Sequence, residues 1–272
     1  MSIRQRLLNS ALIGLTLLSV TTSSSKSLIG FLGATPAHGQ NPIQRIWDRF
    51  VSRPSRDQRP ETIGRGGANR DRCPATEQEL TALVPMTDTS EVTYLEKTTQ
   101  SHPTWYFYSP YPPRLGLNAE FTLIDSEETI VYQEVLPLSD VSALLAETTT
   151  ETKTPGIMSL KLPPDGIGLA IGQRYRWIFS IICTPSNRSA DAAVNGWIER
   201  ISSETITTDI DALNDSERIE FYTENFLWFD AVSELANLQD SNSPDSEWTQ
   251  AWQALLDNLK INSTDTSIRP LR

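Results

Sequence analysis

Alternating apolar and polar side chains mark the middle of the chain, most clearly in the stretch Arg174–Cys183. Successive side chains of an extended chain point to opposite faces, so residues of one parity share a face. The shared face carries Tyr175, Trp177, Phe179, Ile181 and Cys183. Aromatic and β-branched residues dominate the run, and turn residues bound it on both sides. We therefore predict that this stretch is a central strand that enters the core.

The same alternation recurs between Cys73 and Ile201 in short segments that turn residues separate. Seven or eight such strands without a helical period predict a mainly β fold, an antiparallel β-sandwich, over residues 73–203. A Trp on a strand that ends in Cys favours an Ig-like core, although the spacing to Cys73 is too long for the usual immunoglobulin cysteine pair. The predicted strands are Thr81–Val84, Val92–Glu96, Thr104–Tyr108, Asn118–Ile124, Ile130–Val135, Gly156–Leu162, Arg174–Cys183 and Val194–Ile201.

Apolar residues recur at helical spacing after the β segments. The pattern predicts an αα-hairpin over residues 204–261, followed by a polar, disordered tail over residues 262–272. The two short helices hold more Trp and Phe than a hairpin alone can bury. The sequence therefore predicts that Trp228, Trp248 and Trp252 contribute to a surface that binds a partner protein.

The N-terminal residues have the features of an export signal. A basic start is followed by an interrupted apolar run, Leu7–Val20, and by the small-x-small pattern Ala37–Gly39. The run is shorter than the roughly 20 apolar residues that a spanning helix needs. We predict a cleaved signal peptide over residues 1–39, no membrane span after its removal, and a short helix with an Arg-rich flexible linker over residues 40–72.

Charge is distributed unevenly along the chain. The formal net charge is −11, and loss of residues 1–39, which hold three basic and no acidic residues, makes it −14. Residues 40–72 carry +4, which leaves −18 on residues 73–272. A domain this acidic repels nucleic-acid phosphates and anionic membrane surfaces, so neither is an expected partner.

Two cysteines, Cys73 and Cys183, remain after signal removal. An even number of cysteines in an exported chain predicts a disulfide. Closing a loop of this length contributes roughly 4–5 kcal/mol in the chain-entropy model. The predicted bridge joins the start of the β domain to the end of its central strand.

The sequence offers little for catalysis. His102 is the single histidine outside the signal segment, and no Gly-x-Ser-x-Gly elbow is present. One histidine with a bridged cysteine pair cannot supply a zinc site, and no catalytic residue, metal site or cofactor is predicted. An acidic cluster leaves weak calcium binding open, although it lacks the spacing of an EF-hand loop. Its members are Asp211, Asn214, Asp215 and Glu217.

A second candidate binding region lies at the ends of the predicted strands. Tyr106, Tyr108 and Tyr111 accompany the proline-rich segment Ser109–Pro113 and form a candidate ligand-binding rim, unless they pack beneath the helical hairpin or the N-terminal segment. Arg188 and Asp191 lie at a rim after the central strand, where they either hold a ligand carboxylate or pair with each other.

Several of these segments together resemble a family of cyanobacterial exported proteins, the Domain of Unknown Function 928 family. The resemblance covers residues 73–259 and implies export and this architecture, but no activity and no catalytic residue. It rests on Cys73-Pro74, Leu80–Pro85, Pro103–Tyr108, Ala119–Phe121, Pro155–Ile157, Leu160–Pro163, Gly172–Trp177, Cys183, Arg188-Ser189, Asp191, Gly196–Arg200, Trp228–Ala231 and Leu235-Ala236.

Three functions follow from the sequence, and we prefer the first. The chain is expected to be a non-catalytic binding protein of the cell envelope, periplasmic or extracellular, with an unidentified protein partner. A carbohydrate-binding sandwich is the alternative, because tyrosines and prolines at a strand end are suited to sugars. A hydrolase stays open, because paired carboxylates are defined in space and not in sequence. The oligomeric state is not predicted.

Overall fold

Two β-sheets and three C-terminal helices make up the described part of the chain. The computed structural model describes residues 65–66, 73–86, 95–112, 116–138, 155–206, 208–241, 246–263 and 266–271. The strands are β1 Arg65–Gly66, β2 Leu80–Ala82, β3 Leu95–Thr98, β4 Thr104–Ser109, β5 Asn118–Ile124, β6 Ile130–Pro137, β7 Gly156–Lys161, β8 Arg174–Ile182, β9 Ala192–Arg200 and β10 Ile268–Pro270. The helices are α1 Asp215–Glu224, α2 Trp228–Ser241 and α3 Glu247–Asn258.

The strand order places β8 in the middle of its sheet. One sheet has the order β1-β2-β4-β7-β10 and the other β3-β9-β8-β5-β6. Strand β8 pairs antiparallel with both β5 and β9. The prediction that Arg174–Cys183 forms a central strand is therefore confirmed.

Aromatic side chains join the two sheets. Phe107 on β4 stacks on Phe179 on β8, with ring centroids 3.9 Å apart. Trp105, also on β4, lies 4.8 Å from the ring of Phe121 on β5. All four side chains are buried, and stacked or edge-to-face aromatic pairs add to the free energy of burying their area. One hydrophobic core therefore lies between the sheets, where the parity of β8 places its aromatic residues.

The pairing is not antiparallel throughout. Strand β3 pairs in parallel with β9, and β10 pairs in parallel with β7. The last of these strands lies in residues 262–272, which the sequence predicts to be disordered, and Leu271 N donates to Ser159 O at 2.9 Å just beyond it. Backbone hydrogen bonds to β7 thus order a segment whose own composition is polar. Strand β1 lies inside the predicted linker, while residues 1–39 and most of residues 40–72 fall outside the described residues.

Three helices replace the predicted two, because the first apolar stripe is broken between α1 and α2. Phe226 adopts φ 57°, a left-handed conformation that ends a helix. Leu227 N donates to Tyr222 O at 2.8 Å, and Phe226 N donates to Thr223 O at 3.2 Å, which is the hydrogen-bond pattern of a Schellman motif. Glycine usually occupies the left-handed position, so its absence here hid the break from sequence reading.

Polar contacts attach α2 to the β-sheets. The indole Nε1 of Trp228 donates to Leu83 O at 2.8 Å. At the first turn of α2, one carboxylate oxygen of Asp230 accepts a hydrogen bond of 2.5 Å from the Thr99 hydroxyl, just after β3. Asp230 is only 4% exposed, and burial raises the pKa of its carboxyl although the hydrogen bonds from Thr99 oppose the shift. A buried carboxyl group therefore lies where the helices join the β fold.

This raised pKa predicts a pH dependence of stability. A carboxyl with a higher pKa in the folded state binds its proton more readily when folded, so its contribution is greatest below the usual pKa of 3.8 and is lost as pH rises through the folded-state pKa. For Asp230→Asn, we expect the parent's stability relative to the variant to fall over this pH range and then to level off. Urea denaturation at a series of pH values measures the difference.

The control for this experiment is Asp240→Asn, at an exposed position of the same helix. This substitution is expected to change the free energy of unfolding by no more than about 0.5 kcal/mol. The free energy of unfolding of the parent is compared with that of Asp230→Asn. If this difference rose with pH or stayed constant, burial of Asp230 would not determine the proton affinity of its carboxyl.

Candidate binding site

A disulfide anchors the start of the β domain. Cys73 and Cys183 are bonded, with Cα atoms 5.1 Å apart and a sequence separation of 110. The predicted bridge is confirmed. It ties the segment before β2 to the end of β8, so the residues that follow Cys73 are held near the loops at that end of the sheets.

The three tryptophans predicted to bind a partner lie inside the protein. Trp228 is 1% exposed, Trp252 0% and Trp248 9%. Trp252 packs edge-to-face on Tyr106 of β4, with centroids 6.0 Å apart. The expectation of an exposed Trp surface therefore does not hold: an apolar helical stripe looks the same in sequence whether it docks on its own domain or on a partner, and here it covers β4.

Tyr106 is part of the same buried contact and not of a rim. Its hydroxyl bonds to the side chains of Ser233 and Thr104, and burial raises its pKa to about 12. The helices thus cover this tyrosine, which is the packing alternative that the sequence left open.

Arg188 and Asp191 pair with each other, which is the second of the two alternatives that the sequence left open for them. Arg188 Nε donates to Asp191 Oδ2 at 2.6 Å, and its two terminal nitrogens reach the carboxylate of Glu120 at 3.0 and 3.3 Å. Hydrogen bonds to these two acids raise the pKa of the guanidinium. Asp191 Oδ1 also accepts from Cys183 N at 3.3 Å. The pair fixes the loop after β8 next to the disulfide, and the guanidinium is occupied by carboxylates of the chain itself.

Tyr108 and Tyr111, in contrast, line a pocket of about 370 Å³. This volume lies at the lower end of the range for ligand pockets. The lining residues come from the segment directly after Cys73, from the end of β4 and the residues beyond it, and from the residue before β7. The pocket is lined by Pro74, Ala75, Thr76, Glu77, Gln78, Tyr108, Pro110, Tyr111, Pro112 and Pro155.

Hydrogen bonds hold the pocket in shape. The side-chain amide of Gln78 donates to Tyr108 Oη at 3.1 Å and to Asn262 O at 2.9 Å, and its oxygen accepts from Asn262 N at 2.8 Å. The hydroxyl of Tyr111 bonds to the side chain of Thr76. Proline backbones are rigid as well, because the ring fixes φ. Little order has to be gained when a ligand enters such a preformed site.

Burial raises the pKa of both pocket tyrosines, and the nearby carboxylate of Glu77 raises that of Tyr108 further. Both hydroxyls therefore stay protonated at neutral pH. Glu77 and Tyr108 line the same pocket. The pocket thus combines apolar ring surfaces, fixed hydroxyls and one carboxylate.

Sequence reading missed Gln78, Glu77 and Pro155 as pocket residues. Gln78 reaches partners 30 and 184 positions away in the chain, and no local pattern indicates such contacts. One signal was available: the disulfide prediction already brought the residues after Cys73 to one end of the sheets, next to the predicted tyrosine rim.

Three of the four residues considered for calcium serve α1 in the structure, and Asp211 lies in a 3-10 turn before it. Asn214 caps the helix in a reciprocal capping box with Glu217, and Asp215 pairs with Arg218 at 2.5 Å. In the described ranges no three His, Cys, Asp or Glu side chains are grouped to hold a metal ion. His102 bonds through Nδ1 to the Ser101 hydroxyl at 2.9 Å. These contacts give Asn214, Asp215, Glu217 and His102 roles in the fold.

Fold and pocket together define a mainly β protein with C-terminal helices and a small preformed pocket. Among the described residues, no helix has the length and apolar content to cross a membrane. The profile of the family described as Domain of Unknown Function (DUF928) matches residues 65–269, so the chain belongs to this family. No curated protein and no solved structure matches the chain.

Proposed function

We propose that the protein is an exported, non-catalytic binding protein of the cell envelope and that the pocket around Tyr108 and Tyr111 is its binding site. The observation that carries the proposal is the pocket itself: rigid proline and tyrosine walls, held by Gln78, beside a disulfide. Disulfides persist in oxidising compartments, which supports export through a signal peptide over residues 1–39. We also propose a cyanobacterial origin, which the sequence resemblance implies.

An Ig-like arrangement of the two sheets is also proposed. Strands β2, β4 and β7 are neighbours in one sheet, and β6, β5, β8 and β9 are neighbours in the other. This division of strands between two sheets resembles that of an immunoglobulin domain. Near the start of β8, the hydroxyl of Tyr175 accepts a hydrogen bond of 3.1 Å from Ala170 N. A tyrosine bonded to backbone a few residues upstream is the corner found in such domains. Helices α2 and α3 form the proposed hairpin, with α1 preceding it.

The pocket favours a protein or peptide ligand over a sugar. Sugars stack on the exposed faces of aromatic rings, whereas Tyr108 and Tyr111 are only 3% and 2% exposed. Among the lining residues, Pro74, Pro112 and Pro155 are more exposed than either tyrosine. We therefore place the carbohydrate alternative second.

Filling the pocket tests the proposal. Ala75 lines the pocket and is exposed, so Ala75→Trp adds a bulky ring there without entering the core. We expect cross-linked capture from the envelope of the source organism to lose its specific partner with this variant, because the ring occupies the ligand's space. The measurement is mass spectrometry of the captured proteins.

The matched control is Ser126→Trp, which adds the same ring at an exposed position in the turn between β5 and β6. This variant is expected to retain the partner. If Ala75→Trp captured the same proteins as the parent, the pocket would not be the binding site.

A further inference from the structure

The balance of hydrogen-bonding groups around the pocket indicates which ligand it can hold. This inference rests on the proposed function, because it concerns the same pocket. Four of the ten lining residues are prolines. A proline contributes a carbonyl acceptor but no N–H donor. The pocket wall is therefore richer in acceptors than a wall of other residues of the same length.

Gln78, which would otherwise supply donors, has none left. A side-chain amide carries two N–H bonds, and those of Gln78 point to Tyr108 Oη and to Asn262 O. The hydroxyls of Thr76 and Tyr111 bond to each other. Both N–H donors of Gln78 are therefore used inside the protein. A ligand that brings its own donors complements the carbonyl acceptors of the proline-rich wall.

The charge of the pocket and of the domain also favours a ligand that carries donors. Glu77 is the one charged residue among those that line the pocket. The side chain of Glu77 is exposed, so its carboxylate is accessible to a ligand at the pocket. The surrounding domain is strongly acidic, with −18 over residues 73–272, so it attracts cations and repels anions.

The proline rings of the pocket supply apolar surface for a ligand. Basic side chains lay their aliphatic stems on apolar surface while the charged end reaches a polar group. Pro74, Pro112 and Pro155 provide such surface at the rim, and Glu77 provides the polar group. A guanidinium carries five N–H donors and an ammonium three, which suits an acceptor-rich wall.

We propose that the pocket binds a basic side chain, arginine or lysine, presented by an extended segment of a partner protein. The aliphatic stem lies between the proline rings and the charged end bonds to Glu77 and to proline carbonyls. A polyproline segment carrying the basic residue is already extended in solution, so it loses little conformational entropy on binding.

Fluorescence anisotropy with two labelled peptides tests this proposal. One is a decapeptide of alternating arginine and proline, and its twin has citrulline, a neutral isostere, in place of each arginine. With the exported chain we expect the arginine peptide to bind about fivefold more tightly than the citrulline peptide, a ratio typical of one partly exposed ion pair. In Glu77→Gln the two peptides should bind within about twofold of each other.

Glu79→Gln is the control for general attraction to an acidic surface, since Glu79 is exposed and does not line the pocket. It should keep the preference for arginine. Equal binding of both peptides to the parent, or equal loss of preference in the two Gln variants, would overturn the proposal.

The two proposals fail in different ways. If both peptides bind equally and Ala75→Trp blocks both, the pocket is a binding site without preference for a basic group. If Ala75→Trp leaves peptide binding unchanged, the ligand binds elsewhere, and the proposed site is wrong as well.

Discussion

Replacing both Cys73 and Cys183 by Ala is expected to lower the free energy of unfolding by roughly 3–4 kcal/mol. The disulfide closes a loop of 110 positions, and long loops gain most from a covalent bond because the unfolded chain loses more freedom. The bridge also holds the pocket wall that begins at Pro74. Guanidinium denaturation with and without a reductant measures the effect.

The parent protein serves as its own control in this experiment. Reductant should shift its unfolding midpoint to that of the double variant, and it should leave the variant's own midpoint unchanged. If the variant unfolded at the parent's midpoint, the bridge would contribute nothing to stability, and its role in holding the pocket wall would be in doubt.

Gly196→Ala is the second substitution with a large expected effect. Gly196 lies opposite Trp177 on the neighbouring strand, and a Cβ atom at this position would lie 2.3 Å from Cζ2 of that indole. Trp177 is buried and packs edge-to-face on Phe107, so its ring cannot move without disturbing the core. We expect a loss of roughly 2–3 kcal/mol, measured by thermal and urea denaturation.

A double-mutant cycle separates this clash from a general effect of alanine in β9. Trp177→Phe removes the ring atoms that the new Cβ would meet, so Gly196→Ala should cost clearly less in that background. Equal costs in both backgrounds would show that Gly196 is needed for another reason.

Local sequence patterns were sufficient to predict the features that depend on a regular spacing of apolar residues. The parity of aromatic residues in Arg174–Cys183 predicted both the central strand and its buried face, because period-two alternation reflects directly which side meets the core. Compartment and cysteine number together predicted the disulfide. These features depend on a few neighbouring residues or on chemistry that any fold must respect.

Features that depend on distant contacts were missed. Strand β10 is ordered by β7, more than 100 positions away, and its own sequence is that of a tail. The break at Phe226 needs a left-handed residue that is not glycine, so propensity gave no sign of it. The apolar faces of α2 and α3 were correctly seen as apolar, but whether such a face docks on β4 or on another protein is decided by the tertiary structure.

In the candidate site, too, local patterns were predicted and distant contacts were missed. Tyr108 and Tyr111 stood out because tyrosines and prolines cluster in one short segment, and both line the pocket. Tyr106 shares the strand face of Tyr108 but lies two residues earlier, where the helices bury it. Arg188 and Asp191 satisfy each other and Glu120, and the position of Glu120 on a neighbouring strand could not be read from the loop.

Site-specific photo-cross-linking tests the central claim that the pocket, and not the helical surface, is where a partner binds. A photoreactive amino acid is placed at Ala75 in the pocket or at Asn237 on the exposed side of α2, and the native envelope is irradiated. The account predicts a discrete adduct from position 75 and none from position 237. Adducts from position 237 alone would contradict it and would return the binding surface to the helices.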